Sequence, residues 1–186
     1  ARIGGGSAAP GEYSSVADGT HTVLGSGNDV WNNNDEFTFV YQEFDASEDI
    51  DIVSHVNAGG SFTSDPAGAA GVHDWAKAGL MIRSGLTNNN RNAFAVIAAN
   101  DPNGLNAQIR RTEGAGSAGA NATGNRVAHA DDVWLRLKYD ATTGQFETFW
   151  KDLEGDAWTK LSIDAQMVMD AGQELAGPIL VGMAVT

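Results

Sequence analysis

The run Trp75-Ala76-Lys77-Ala78-Gly79-Leu80-Met81-Ile82-Arg83 constrains the fold more than any other stretch of the chain. In an extended strand, successive side chains point to opposite faces. Ala76, Ala78, Leu80 and Ile82 then make one small apolar face. Trp75, Lys77, Met81 and Arg83 make the other, and Gly79 leaves a gap among them. Ser84-Gly85 closes the run, and a Gly/Ala/Pro-rich loop precedes it. It reads as a central strand with a core on one side and a candidate ligand platform on the other.

Other stretches repeat the period of two. Phe37 to Gln42 is a strand of strong β formers. Asp49 to Val56 alternates, with Ile50, Ile52 and Val56 toward a core and Asp49 and Asp51 away from it. Ala93 to Ala99 is apolar on both faces, which predicts a strand buried on both sides. Leu105 to Arg111 puts Asn106, Gln108 and Arg110 on one face. Val133 to Tyr139 sets Leu135, Leu137 and Tyr139 against Trp134, Arg136 and Lys138. Ala141-Thr142-Thr143-Gly144 turns the chain into Gln145–Lys151, which predicts a hairpin. Ile179 to Val185 is a closing core strand, and Gly19 to Leu24 a short early one. Residues 57–73 and 113–125 read as loops, and 163–174 have weak helical character. About ten short strands with turn signals between them predict an all-β antiparallel sandwich. Residues 1–11, rich in Gly, Ser and Ala, read as a flexible arm or linker, and 12–186 as a single β-sandwich domain.

The chain has 186 residues, of which 42% are hydrophobic, enough to bury one substantial core. Net charge is −13, so nucleic acid and anionic membrane are poor partners. The charge is uneven: residues 1–76 hold 12 acidic residues and one basic residue, Arg2. Cysteine is absent, which excludes disulfides, thiol catalysis and Cys-ligated zinc. No apolar run long enough to span a membrane occurs, so membrane insertion is not expected. The opening Ala-Arg-Ile-Gly-Gly-Gly-Ser suggests a processed product or an excised domain.

Gly25-Ser26-Gly27-Asn28-Asp29-Val30-Trp31 followed by Phe37 to Gln42 resembles the opening of a bacterial concanavalin A-like β-sandwich family, many members of which carry the label DUF1349. Trp75 to Arg83 resembles its central signature, and Val133 to Leu137 and Val181 to Thr186 its late strands. The resemblance runs in order from about Gly25 to Thr186. It implies a jelly-roll sandwich used as a module of exported, multidomain bacterial proteins. It also implies glycan on a concave sheet and structural Ca²⁺ at a loop. It transfers no catalytic residue.

The residues suggest where such ligands would sit. Lys77, Arg83, Gln108, Arg110, Arg136, Lys138 and Trp150, with Trp134, have the parity of a face turned away from the small apolar residues. Aromatic rings stack on the C–H faces of sugars, and amides and guanidiniums bridge hydroxyls or carboxylates. Asp29, Asn32 and Asp35, among Asn28, Asn34 and Glu36, supply the oxygen atoms a calcium ion requires. Their spacing does not match an EF-hand. Asp49 and Asp51 lie on one strand face, roughly 6.5–7 Å apart. The next position on that face is Val53, so a three-acid hydrolase strand is not formed. His21, His55, His73 and His129 show no metal spacing, and no serine lies in a nucleophile-elbow motif. Asp152 to Trp158 resembles an Asp-box hairpin in which Trp158 locks the turn.

The expectation is therefore a non-catalytic, extracellular or cell-surface carbohydrate-binding module, with a polysaccharide or glycan as partner and Ca²⁺ as a possible structural cofactor. The alternative is a structural subunit or spacer of a bacterial surface fibre or adhesin. Its partners would be copies of itself or neighbouring domains, assembled through the Gly/Ala arm or an open strand edge.

Overall fold

The computed structural model describes residues 1–4, 11–57, 75–99, 104–121 and 132–186. These form thirteen strands and one 3₁₀ turn at Asp164–Gln166. The larger sheet has seven strands, in the order β1 (Arg2–Ile3), β4 (Phe37–Asp45), β13 (Pro178–Val185), β6 (Lys77–Arg83), β7 (Asn92–Ala98), β8 (Leu105–Arg110) and β9 (Ala118–Gly119). The smaller has four, in the order β12 (Thr159–Lys160), β11 (Gln145–Lys151), β10 (Asp132–Asp140) and β5 (Ile50–Asn57). A separate hairpin pairs β2 (Glu12–Ser15) with β3 (His21–Leu24). Neighbouring strands pair antiparallel throughout. The all-β antiparallel sandwich expected from the sequence is the fold formed.

The alternation read from the sequence builds the main core. Leu80, Ile82, Ala93, Ala95, Ile97, Ala107 and Ile109 of the large sheet meet Val133, Leu135, Leu137, Tyr139 and Phe146 of the small one. Full burial of a Leu or Ile side chain contributes about 1.5–3 kcal/mol. A second, smaller core lies on the far side of the large sheet. There Met81, Phe94 and Val96 pack with Phe37, Phe39, Leu180 and Ala184 beneath Ile3 and Val30. The large sheet is thus sandwiched twice, and β7 is buried along its whole length for that reason.

The expected arm begins inside the fold. Arg2 and Ile3 pair with Thr38 and Phe37, and Ile3 is buried. The Ala1 ammonium donates to the Phe39 carbonyl (2.6 Å), and the Phe39 N–H donates to the Ala1 carbonyl (2.7 Å). Residues 5–10 of that arm lie outside the described residues, as do 58–73 of the predicted loop and 122–125 of the other. His73 and His129 fall outside them too. The predicted helical character at 163–174 reduces to the single 3₁₀ turn.

β1 covers only the first part of β4, whose other edge is paired along its length by β13. Alternate residues of an edge strand turn their backbone groups outward. Phe39 faces β1, so Tyr41 and Glu43, two and four residues on, turn their N–H and C=O groups to the same edge, where no described residue pairs with them.

Candidate functional site

The cations expected to share one face divide between two. Lys77, Arg83, Gln108 and Arg110 belong to the large sheet and point away from the main core. Arg136 and Lys138 belong to the small sheet and also point away from the main core, on the opposite side of the molecule. Parity specifies a direction relative to the core, and a sandwich has two outward directions. Trp150 lies on neither. It pairs across from Leu135 and packs against the main core. The hairpin pairs Asp140 with Gln145, so even positions of β10 face odd positions of β11. The outward residue opposite Arg136 is therefore Phe149.

On the large sheet the outward face is closed by residues 28–36. Gly27 and Gly4 let this segment lie close to its neighbours. A Cβ on Gly27 would overlap the Glu36 carbonyl oxygen, and Gly4 takes a positive φ of 82° against the Asp35 carbonyl. The Asp35 N–H donates to the Asn88 carbonyl (2.6 Å), and the Glu36 N–H to the Asp29 carbonyl (2.9 Å). Asp35 is thereby held over the sheet, fully buried, against two guanidiniums. Arg110 grips it with both terminal nitrogens (2.6 and 2.5 Å). The remaining Arg110 donors go to the carbonyls of Ala115 (2.8 Å), Asn90 (3.1 Å) and Asn32. All five of its N–H groups are therefore used, as a buried guanidinium requires. Arg83 lies 3.6 Å from Asp35, donates to the Gly85 and Thr87 carbonyls (2.6 Å each), and stands over the Phe37 ring. Burial pushes Arg83 down to about 10, against the pull of Asp35, and it remains cationic at neutral pH. Lys77, 1% exposed, pairs with Asp29 and lies 5.6 Å from the centre of the Trp75 ring.

The structure thus brings two sets of predicted residues together. The carboxylates considered for calcium, Asp29 and Asp35, hold the cations considered for a ligand, and Asn32 supplies a carbonyl to one of them. A divalent cation at this place would share it with three positive charges. Among the described residues no group of three or more His, Asp or Glu side chains is arranged to hold a metal. Gln108 is buried beside them, and its amide makes no hydrogen bond.

Among the described residues no segment covers the small sheet's outward face. Across it run His55 (β5), Trp134 (β10) and Lys151 (β11), followed by Trp158 just before β12. The His55 and Trp134 rings stack at 4.9 Å. The Lys151 ammonium stands 5.4 Å from the centre of Trp134 and 4.8 Å from that of Trp158. The next row is Val53, Arg136, Phe149 and Lys160. Arg136 lies over Phe149 (6.0 Å) and Trp158 (5.7 Å), and Lys160 over Phe149 (5.6 Å). Aromatic and cationic groups therefore alternate from Trp134 to Trp158 in the first row and from Arg136 to Lys160 in the second. The Trp134, Phe149 and Trp158 rings are half-buried, and His55 and Val53 are exposed.

Asp51 holds Arg136 through both carboxylate oxygens (2.8 and 2.5 Å), and that hydrogen bonding keeps its carboxyl below the usual range. Asp49 accepts from the Ala141 N–H (2.9 Å), so each member of this carboxylate pair has a local partner. His55 contacts Asp132. Sequence reasoning found Trp134, Arg136 and Lys138 but missed His55, Phe149 and Lys151 as members of this face. It assigned Trp158 to the turn alone. The signal that finds Phe149 and Lys151 is the odd register of the β10–β11 hairpin, and His55 shares the outward parity of Asp49 and Asp51.

No family model matches the chain, and neither does any curated protein. Solved structures are similar at low identity. A GH43 glycoside hydrolase engineered to show both endo-xylanase and exo-arabinofuranosidase activity aligns over 93% of this chain and 47% of its own, with 12% identity and a TM-score of 0.45. The chain spans about half the length of that enzyme. The CBM40 module of the Ruminococcus gnavus IT-sialidase, bound to α2,3-sialyllactose, aligns over 85% of this chain and 91% of its own, with 14% identity and a TM-score of 0.36. The same module bound to α2,6-sialyllactose aligns over 83% and 93%, with 14% identity and a TM-score of 0.28.

Proposed function

We propose that this domain is a non-catalytic, extracellular module that binds polysaccharide on the outward face of its small sheet. One observation carries the reading: Trp134, Phe149 and Trp158 stand half-exposed among Arg136, Lys151 and Lys160 on a face that no described segment covers. Sugars are recognised by this combination, with aromatic surface for C–H groups and fixed donors for hydroxyls. The cationic face of the large sheet does not serve, because the 28–36 segment fills it.

The test is affinity electrophoresis of the domain against neutral and acidic polysaccharides. A binder is expected, and the Trp134→Ala/Trp158→Ala double variant should lose at least about tenfold in affinity. Binding unchanged in a natively folded double variant overturns the reading, as does silence across the panel.

The structural alternative keeps one observation in its favour. The edge of β4 at Tyr41 and Glu43, unpaired among the described residues, is a place where another strand can add. Concentration-dependent assembly in sedimentation, abolished by proline at Tyr41, supports that reading, and a monomer at all concentrations removes it.

A further inference from the structure

The cations of the small sheet's outward face differ in how they are neutralised. Arg136 forks onto Asp51. Lys138 lies 3.8 Å from Glu147, and Lys160 lies 2.6 Å from Glu147 and 2.5 Å from Asp164. Among the described residues Lys151 has no carboxylate partner. Its ammonium donates to the Glu154 carbonyl and stands between the Trp134 and Trp158 rings. Carbonyl dipoles and ring quadrupoles orient an ammonium without cancelling its charge. The two indoles also restrict the lysine stem, so this charge is held in place before any ligand arrives. The rest of the chain is acidic, with a net charge of −13. At physiological ionic strength that distant charge is screened over about 8 Å, and the nearest groups decide what binds.

We infer that Lys151 anchors the anionic group of an acidic polysaccharide, a carboxylate or a sulfate ester, with the sugar ring beside it against Trp158 and Trp134. This rests on the binding face proposed above. The ammonium pairs with the anion as a point charge, and the indoles supply the apolar contact that a free anion lacks. An isolated carboxylate or sulfate ion in water offers only half of this complementarity.

The experiment uses the 186-residue chain with four probes: polygalacturonate, its fully methyl-esterified form, a sulfated galactan and a neutral galactan. Tryptophan fluorescence and affinity electrophoresis read the binding. The expected result is at least about tenfold tighter binding to an anionic polymer than to its uncharged counterpart, weakening as salt is raised. Polygalacturonate against the sulfated galactan separates carboxylate from sulfate. Lys151→Met should erase the anionic preference, and Lys151→Arg should retain it. Equal binding within both pairs, free against esterified polygalacturonate and sulfated against neutral galactan, or Lys151→Met binding like the parent, overturns the Lys151 assignment and leaves the face intact. Binding that survives Trp134→Ala/Trp158→Ala, or failure of all four probes, overturns the face and with it this assignment.

Discussion

The two outward faces of the sandwich are built from the same kinds of residue and behave as opposites. On the large sheet Arg83, Arg110 and Lys77 are covered, and Asp29 and Asp35 arrive on one loop to meet them. On the small sheet Arg136, Lys151 and Lys160 stay partly exposed, spaced by aromatic rings. Burial makes the difference. Removing an ion from water costs several kcal/mol, so a buried guanidinium persists only when every donor is matched, as at Arg110. An exposed ion pair gains about 0–1 kcal/mol and leaves its partners free to exchange with a ligand. One alternating sequence pattern therefore yields a fastening on one side and a recognition surface on the other.

Removing Asp35 tests the fastening most severely. Asp35→Asn leaves two guanidiniums buried over one neutral amide, and should cost about 3–5 kcal/mol in urea unfolding. A loss below about 1 kcal/mol would erase the distinction between the faces. Next comes the loop that carries Asp35. Gly27→Ala forces a methyl group into the Glu36 carbonyl and should cost about 1–3 kcal/mol. It should leave binding at the small sheet unaltered. Smallest is Asp51→Asn, expected at about 0–1 kcal/mol at neutral pH and vanishing in molar salt.

Acid sharpens the same contrast. Burial raises the Asp35 carboxyl above its ordinary value, although the hydrogen bond and charge of Arg110 and the charge of Arg83 pull it back. Asp51 is lowered, chiefly by its hydrogen bond from Arg136, with burial opposing. Its contribution is present above the unfolded value near about 4 and is lost as pH falls through the native one. Urea midpoints between pH 2 and 7 should therefore fall less steeply toward acid in Asp51→Asn than in the parent. Parallel profiles would show that the Asp51–Arg136 pair does not couple to folding.

The period of two carried most of the fold. It placed Leu80, Ile82, Leu135 and Leu137 in the core and Arg83, Arg110 and Arg136 outside it. It could not say which sheet a strand joins. That depends on pairings between residues far apart, such as Val56 with Val133 and Gly182 with Met81. For the same reason the one face expected from the sequence became two. The parity of Trp150 failed on a local detail, since four residues between Asp140 and Gln145 invert the numbering across the hairpin. The pairing of Asp35 with Arg110 was hidden because neither position is unusual alone, and 75 residues separate them.

The place of β13 in the large sheet has a consequence for how the chain is made. This strand is translated after every strand it touches, yet it sits between β4 and β6 and pairs with both. Until residues 178–185 leave the ribosome, β4 has among the described residues no strand partner beyond β1 at its start, and β6 has only β7. Contacts of such long sequence separation form slowly. A nascent chain halted before Pro178 therefore exposes two apolar strand edges, which makes the interval before residues 178–185 emerge a period of need for a chaperone.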